Sequence, residues 1–218
     1  MDGQTERRIK DFLEKIPSGV KVVAATKCRS IELVSECPAH GIFAAGENRV
    51  QELLSKYQPV EGLEWHFIGQ LQTNKVKYIL DKVSLIQSLD RVSLADKLEE
   101  ECAKRGLTMP VLVEVKHGEE LTRDGVSPDG LMAFAEYVRG KKHLTLNGLM
   151  TVMPLGSEKS AFLYKKTYKL FEKLRENFGS DIKWLSMGMS VDCLTAIENG
   201  SNMIRPGRAL FGERFYAT

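Results

Sequence analysis

Short apolar, β-branched runs alternate along this chain with longer stretches in which apolar residues recur every three or four positions. That alternation builds βαβ units on a parallel sheet. The short runs are Val22 to Thr26, Ile42 to Ala45, Trp65 to Ile68, Leu85 to Ser88, Val111 to Val115, Leu146 to Thr151, Lys183 to Ser186 and Met203 to Arg205. Between them, Leu94, Leu98 and Cys102 form one apolar stripe on a helix over Arg91 to Arg105. Leu163, Thr167, Leu170, Phe171, Leu174 and Phe178 form another over Ser160 to Phe178, each stripe being the face that covers a sheet. A further helix, Glu6 to Ile16, precedes the first strand. Eight strand–helix pairs closed on themselves predict an α/β fold, a (β/α)8 TIM barrel, as a single domain over residues 1–218 with an extra N-terminal helix. An open doubly wound sheet is the alternative.

Composition narrows the function classes. The 31 basic and 29 acidic residues are spread along the whole length, so no basic block offers a track for a phosphate backbone, and no nucleic acid is expected as partner. Met1 to Lys10 is polar and charged, which predicts no signal peptide and no membrane anchor, hence a cytoplasmic protein. Cys28, Cys37, Cys102 and Cys193 form no close pair, and His40, His66, His117 and His143 are scattered. The cysteines read as reduced thiols, and no metal site is expected.

In either architecture the ligand site lies at the C-terminal ends of the strands. Lys27 ends the first run and is there either a Schiff-base amine or a strand-end lysine extending its ammonium to water. Ser186-Met187-Gly188-Met189-Ser190 follows the seventh run and opens a helix near Val191 and Asp192. Arg205-Pro206-Gly207-Arg208 repeats that arrangement after the eighth. Glycine for close backbone approach, a serine hydroxyl and unpaired helix N–H groups suit a phosphate, although each segment is equally an ordinary capped βα turn.

Several motifs, in order and over nearly the full length, carry a resemblance to a known family. They are Ala25-Thr26-Lys27, Gly46-Glu47-Asn48-Arg49-Val50-Gln51-Glu52, Trp65 to Lys75, Gly148-Leu149-Met150-Thr151, Leu185 to Ser190 with Asp192, and Phe211-Gly212-Glu213-Arg214. The chain resembles the pyridoxal 5′-phosphate (PLP) homeostasis proteins, whose barrel is similar to the N-terminal domain of alanine racemase. The resemblance implies that Lys27 forms the internal aldimine, Asn48 lines the cofactor site, Ser190 and the Gly207 region hold the phosphate, and Arg205 faces the pyridine nitrogen. Met150, Ser186 and Arg208 complete the implied cofactor-binding set. Arg208 departs from the family, which usually has a small hydroxyl residue there; it either grips the phosphate or points to solvent, leaving a backbone N–H in its place.

A guanidinium beside the pyridine nitrogen disfavours its protonation and makes PLP a weaker electron sink. Racemisation needs an acid/base on each face. Lys27 is the one obvious candidate, the chain stops at Thr218, and Tyr57, Tyr78 and Tyr137 fall in helical patterns that place them at helix surfaces. The expected function is therefore storage, delivery or buffering of PLP without catalysis, possible recipients being apo PLP-dependent enzymes. The alternatives are a PLP-dependent racemase or other PLP enzyme, and a phosphate-ligand barrel in which Lys27 is structural. No amphipathic stretch is left over, so a monomer is expected. The small Cys28 reads as a buried thiol, Glu47 and Arg49 as residues ordering the Asn48 loop, His66 as a pocket wall, Gln72, Asn74 and Lys75 as a helix cap or functional surface, and His117 to Gly125 as a loop after the fifth strand.

Overall fold

The computed structural model of the protein describes residues 1–117, 125–153 and 160–213. Most of the His117 to Gly125 loop, residues 118–124, and Arg214 lie outside them. The strands are β1 (Lys21–Ala25), β2 (Ala44–Glu47), β3 (Glu64–Phe67), β4 (Leu85–Leu89), β5 (Met109–Glu114), β6 (Leu144–Met150), β7 (Trp184–Ser186) and β8 (Met203–Ile204). They pair in sequence order, all parallel, and β8 returns to β1 through Lys21↔Met203 and Val22↔Ile204. The barrel is closed, and the open-sheet alternative falls.

Around it lie α1 (Gly3–Leu13), α2 (Ile31–Ser35), α3 (Val50–Lys56), α4 (Val92–Arg105), α5 (Leu131–Arg139), α6 (Ser160–Phe178), α7 (Cys193–Glu198) and α8 (Arg208–Phe211). Short 3-10 turns run over Cys37–His40 and Thr73–Tyr78. The stretch expected to open a third α-helix at Gln72 is thus a 3-10 segment, tied down by buried Val76 and followed by buried Ile79 and Leu80. The helix expected over Glu6 to Ile16 starts at Gly3, because Asp2 caps it by accepting from Thr5 N at 2.7 Å.

Strand alternation sorts the core into two shells. Trp65, Phe67, Ile86, Val111, Val113, Leu149 and Leu185 face outward and pack under Leu94, Leu98, Cys102, Phe134, Phe171 and Leu174 of the helices. Val23, Ala44, Leu85, Leu112, Met150 and Met203 meet inside the barrel. Gly148 allows β6 and β7 to close: a Cβ there would lie 1.8 Å from Trp184 O, and its φ of 149° is one that side chains rarely adopt.

Polar residues also face inward, and they form a chain through the barrel. Arg205 Nη1 donates to Ser186 Oγ at 2.6 Å, and Ser186 Oγ donates to Gln87 Oε1 at 2.6 Å. Gln87 Nε2 meets His66 Nδ1 at 2.9 Å, and His66 Nε2 meets Glu64 Oε2 at 3.3 Å. Lys21 Nζ reaches the same Glu64 oxygen at 2.5 Å from the start of β1. Arg205, Ser186, Gln87 and His66 are all buried.

Burial pushes the His66 imidazole below its ordinary 6.5, because its cation would lose its water; Glu64 opposes that shift. The unfolded chain therefore takes up a proton at His66 that the folded protein refuses. Stability from this residue is full above about pH 6.5 and falls as pH drops below it, by at most about 1.4 kcal/mol per pH unit. Urea denaturation of His66→Asn should show a shallower loss of stability than the parent protein on acidification through that range.

Candidate functional site at the C-terminal mouth

The expected site residues gather at one end of the barrel. Lys27 follows β1, Asn48 follows β2, Met150 ends β6, Ser186 ends β7 and Arg205 follows β8. Barrel closure brings the two ends of the chain together there: Ala25 N donates to Pro206 O at 2.8 Å, and a Cβ on Gly207 would stand 3.3 Å from Ala25 O. Gly69 does the same between β2 and β3, since a Cβ would lie 2.1 Å from Asn48 O.

Arg205 is the fixed point of this mouth. Its guanidinium is buried, with Nη2 donating to Thr151 O at 2.8 Å and Nη1 to Ser186 Oγ. Thr151 Oγ1 in turn donates to Val115 O at 2.8 Å, so β5, β6, β7 and β8 all help to hold it. Burial lowers the guanidinium's pKa, while Glu114, Tyr164, Cys193 and Asp192 act against that shift; an arginine keeps its proton even so.

Ser190 collects the amides of the following turn. Gly207 N and Ala209 N donate to its Oγ at 2.9 and 3.1 Å. A hydroxyl has two lone pairs and one proton, so with both pairs engaged the Ser190 proton is directed at an acceptor of its own. Asp192 holds the loop from behind, accepting from Met189 N at 2.7 Å and from Tyr164 OH at 2.7 Å. Tyr164 is the buried tyrosine nearest this loop, and no motif pointed to it; burial raises its phenol's pKa, with Asp192 adding to the rise. Tyr57, Tyr78 and Tyr137 lie elsewhere: Tyr57 packs tilted against Trp65, Tyr78 is exposed, and Tyr137 donates from the helix surface to Asp96.

Lys27 is half-buried, and the turn that carries it is held from beneath by charges. Lys56 Nζ donates to Thr26 O and Arg29 O, both at 3.0 Å, and to Glu47 Oε1 at 2.8 Å and Glu52 Oε1 at 3.1 Å. Thr26 Oγ1 donates to Glu47 Oε1 at 2.5 Å, and Cys28 N to Glu52 Oε1. Burial raises the carboxyl pKa of Glu47, against Lys56 and Thr26, which lower it. Glu47, expected to order the Asn48 loop, instead bonds the Lys27 turn through Thr26 and Lys56, whereas Lys56 was not singled out because it looks like an ordinary i,i+4 helix charge beside Glu52. Cys28 is a correction: with φ of 60° its backbone turns left-handed and the thiol is exposed rather than buried.

Arg208 lies at the rim. Its side chain is exposed, with Nη1 3.5 Å from Glu213 Oε1. Met150 belongs to the apolar layer inside the barrel. The mouth therefore brings together a lysine on β1's edge, a buried fixed guanidinium, and a serine hydroxyl grouped with two amides. That donor set fits a ligand with a carbonyl, a ring acceptor and an anionic group at separate points. Because Lys56 and Glu47 are buried, removing the cation alone strands a carboxylate; Lys56→Met should cost about 3–5 kcal/mol in urea denaturation.

Residues 3–215 match the family described as alanine racemase, N-terminal domain. The pyridoxal phosphate homeostasis protein of Aquifex aeolicus is 41% identical over 216 residues, which are 96% of this chain and 95% of that protein. Its namesake in Haemophilus influenzae is 36% identical over 208 residues, 91% of this chain and 87% of that protein. Among solved structures, PipY of Synechococcus elongatus PCC7942 without PLP superposes with a TM-score of 0.89 at 28% identity, covering 96% of this chain and 100% of its own. PipY with PLP bound gives 0.85 at the same identity and coverage. From its own motifs and these relatives, the chain belongs to the alanine racemase N-terminal domain family and, within it, to the pyridoxal phosphate homeostasis proteins.

Proposed function

We propose that this protein binds PLP at the C-terminal mouth of its barrel and stores, buffers or delivers it, without catalysing a reaction of its own. The observation that carries the reading is Arg205, a buried guanidinium held on two sides by Thr151 O and Ser186 Oγ. PipY, with PLP bound in one structure, supports the same ligand here. When bound, PLP supplies an aldehyde that an amine takes up reversibly.

In this reading Lys27 is that amine, and Lys56, Glu47 and Glu52 keep its turn in place. Ser190, whose oxygen takes the Gly207 and Ala209 amides, directs its own proton to the phosphate. Asn48 and Met150 line the wall, Ser186 holds Arg205, and Arg208 stays at the rim. Arg205 donates to the ring nitrogen and opposes its protonation, so the site favours holding the cofactor over stabilising a carbanion. A second amine can then displace Lys27 with no C–H or C–C bond broken, which is what delivery to apo PLP-dependent enzymes requires. A cytoplasmic monomer completes the proposal.

Visible absorbance of the protein with PLP, before and after borohydride reduction, tests this reading. The parent protein should show a yellow band that reduction fixes onto Lys27, Lys27→Ala should lose the specific band, and neither should turn over amino acids. The same spectrum from both would remove Lys27 from the chemistry, and amino-acid turnover would make the protein a PLP enzyme.

A further inference from the structure

The chain from Arg205 to Glu64 runs in one direction only, and both of its ends force that direction. A guanidinium can only donate, so Ser186 Oγ must accept from Arg205 and give its own proton to Gln87 Oε1. At the other end, bonds from His66 and Lys21 hold Glu64 down to about 2 against the effect of burial, so its carboxylate can only accept. His66 accordingly carries its proton on Nε2, toward Glu64, and offers the Nδ1 lone pair to Gln87 Nε2. Gln87 is the joint of the chain: its carbonyl faces the mouth and its amide faces the base of the barrel. Reversing it would set its NH2 against the Ser186 hydroxyl and its carbonyl against the His66 lone pair.

Gln87 is buried at 0% exposure, well below the site's rim, and nothing in its strand's apolar pattern marks it out. Its effect on the mouth passes through Ser186. With Gln87 Oε1 taking the hydroxyl proton, both remaining lone pairs of Ser186 Oγ are available to Arg205 Nη1, and the guanidinium plane is set between Ser186 and Thr151 O. Without that acceptor, the Ser186 proton competes for space with the Arg205 donors.

We propose that Gln87 is a positioning residue for Arg205, and that its orientation, imposed by His66 and Glu64, makes the mouth present a donor to the ring nitrogen of its ligand. The inference rests on the reading of Arg205 as the residue facing that nitrogen. Gln87 touches no ligand; it acts by fixing which way Ser186 and Arg205 point. The preferred ligand is then a pyridine whose nitrogen keeps its lone pair.

The test is PLP titration of the full chain, reading both the dissociation constant and the position of the visible band, for three variants. Gln87→Met keeps the length and bulk but removes the hydrogen bonds to Ser186, His66 and Met203 Sδ; it should weaken PLP binding about tenfold, the worth of the bond to Ser186, and shift the band. Gln87→Glu, protonated in this buried place, keeps a carbonyl acceptor toward Ser186 and donates its O–H to the His66 Nδ1 lone pair, so it should bind within about threefold of the parent, with an unshifted band. Gln87→Asn, which falls one methylene short of spanning Ser186 and His66, should side with methionine and decides the matter if Gln87→Met does not fold. Unchanged affinity and band in the methionine or asparagine variant would overturn the proposal, as would a glutamate variant as weak as methionine. Failure of the parent protein to give the band at all would instead overturn the PLP reading beneath it.

Discussion

The pairing of β8 with β1 is the contact on which this site depends. Lys27 lies near the start of the chain and Ser186, Ser190, Arg205 and Gly207 near its end. They share one mouth because Lys21 and Val22 stand beside Met203 and Ile204, with Ala25 N bonded to Pro206 O just above. In an open sheet with β1 and β8 apart, the same residues would be present and the ligand's carbonyl and anion could not be met at once. Closure also seals Arg205 from water, and a buried guanidinium has to be met by acceptors that do not move. Fold and site are thus coupled through one strand pair: the barrel makes Arg205 dry, and Arg205 ties β6, β7 and β8 together at the rim.

Two supporting structures follow from burying charge near the mouth. Under Lys27, Lys56 meets two carboxylates and two backbone carbonyls, which fixes a turn that includes a left-handed, non-glycine residue, Cys28. Behind Arg205, the Ser186, Gln87, His66 and Glu64 chain carries the hydrogen-bonding demand to the opposite mouth, where Lys21 completes it. Neither support need touch a ligand. Both hold a reactive or charged side chain in one orientation, which is how a site can be ready before its ligand arrives.

Much of this was legible in the sequence because period and position carry it. Short apolar, β-branched runs and helices with stripes at three and four gave eight units, and the Ser160–Phe178 helix matches its expected bounds to the residue. Lys27, the Ser186 to Ser190 segment and the Arg205 to Arg208 segment stood out because they follow apolar runs, whereas Asn48, Met150 and the role of Arg205 came from the family resemblance. What escaped notice is what depends on neighbours distant in the chain. Gln87 sits inside an apolar strand and gains meaning from Ser186, 99 residues away. Lys56 looks like any solvent-facing helical lysine until β2 and the Thr26–Arg29 turn close over it. Tyr164 lies within the Ser160–Phe178 helix but outside the stripe read there, and its hydroxyl partner Asp192 is 28 residues on. Arg208 had two readings in the sequence, and the structure adds that its side chain is exposed, 3.5 Å from Glu213.

The most direct test of the account is a crystal structure of the protein soaked with PLP. The account predicts density continuous from Lys27 Nζ to the ligand, the ring nitrogen against Arg205, and the phosphate at the Ser190 hydroxyl. A ligand bound elsewhere, or one whose phosphate and ring nitrogen exchange these places, would contradict it.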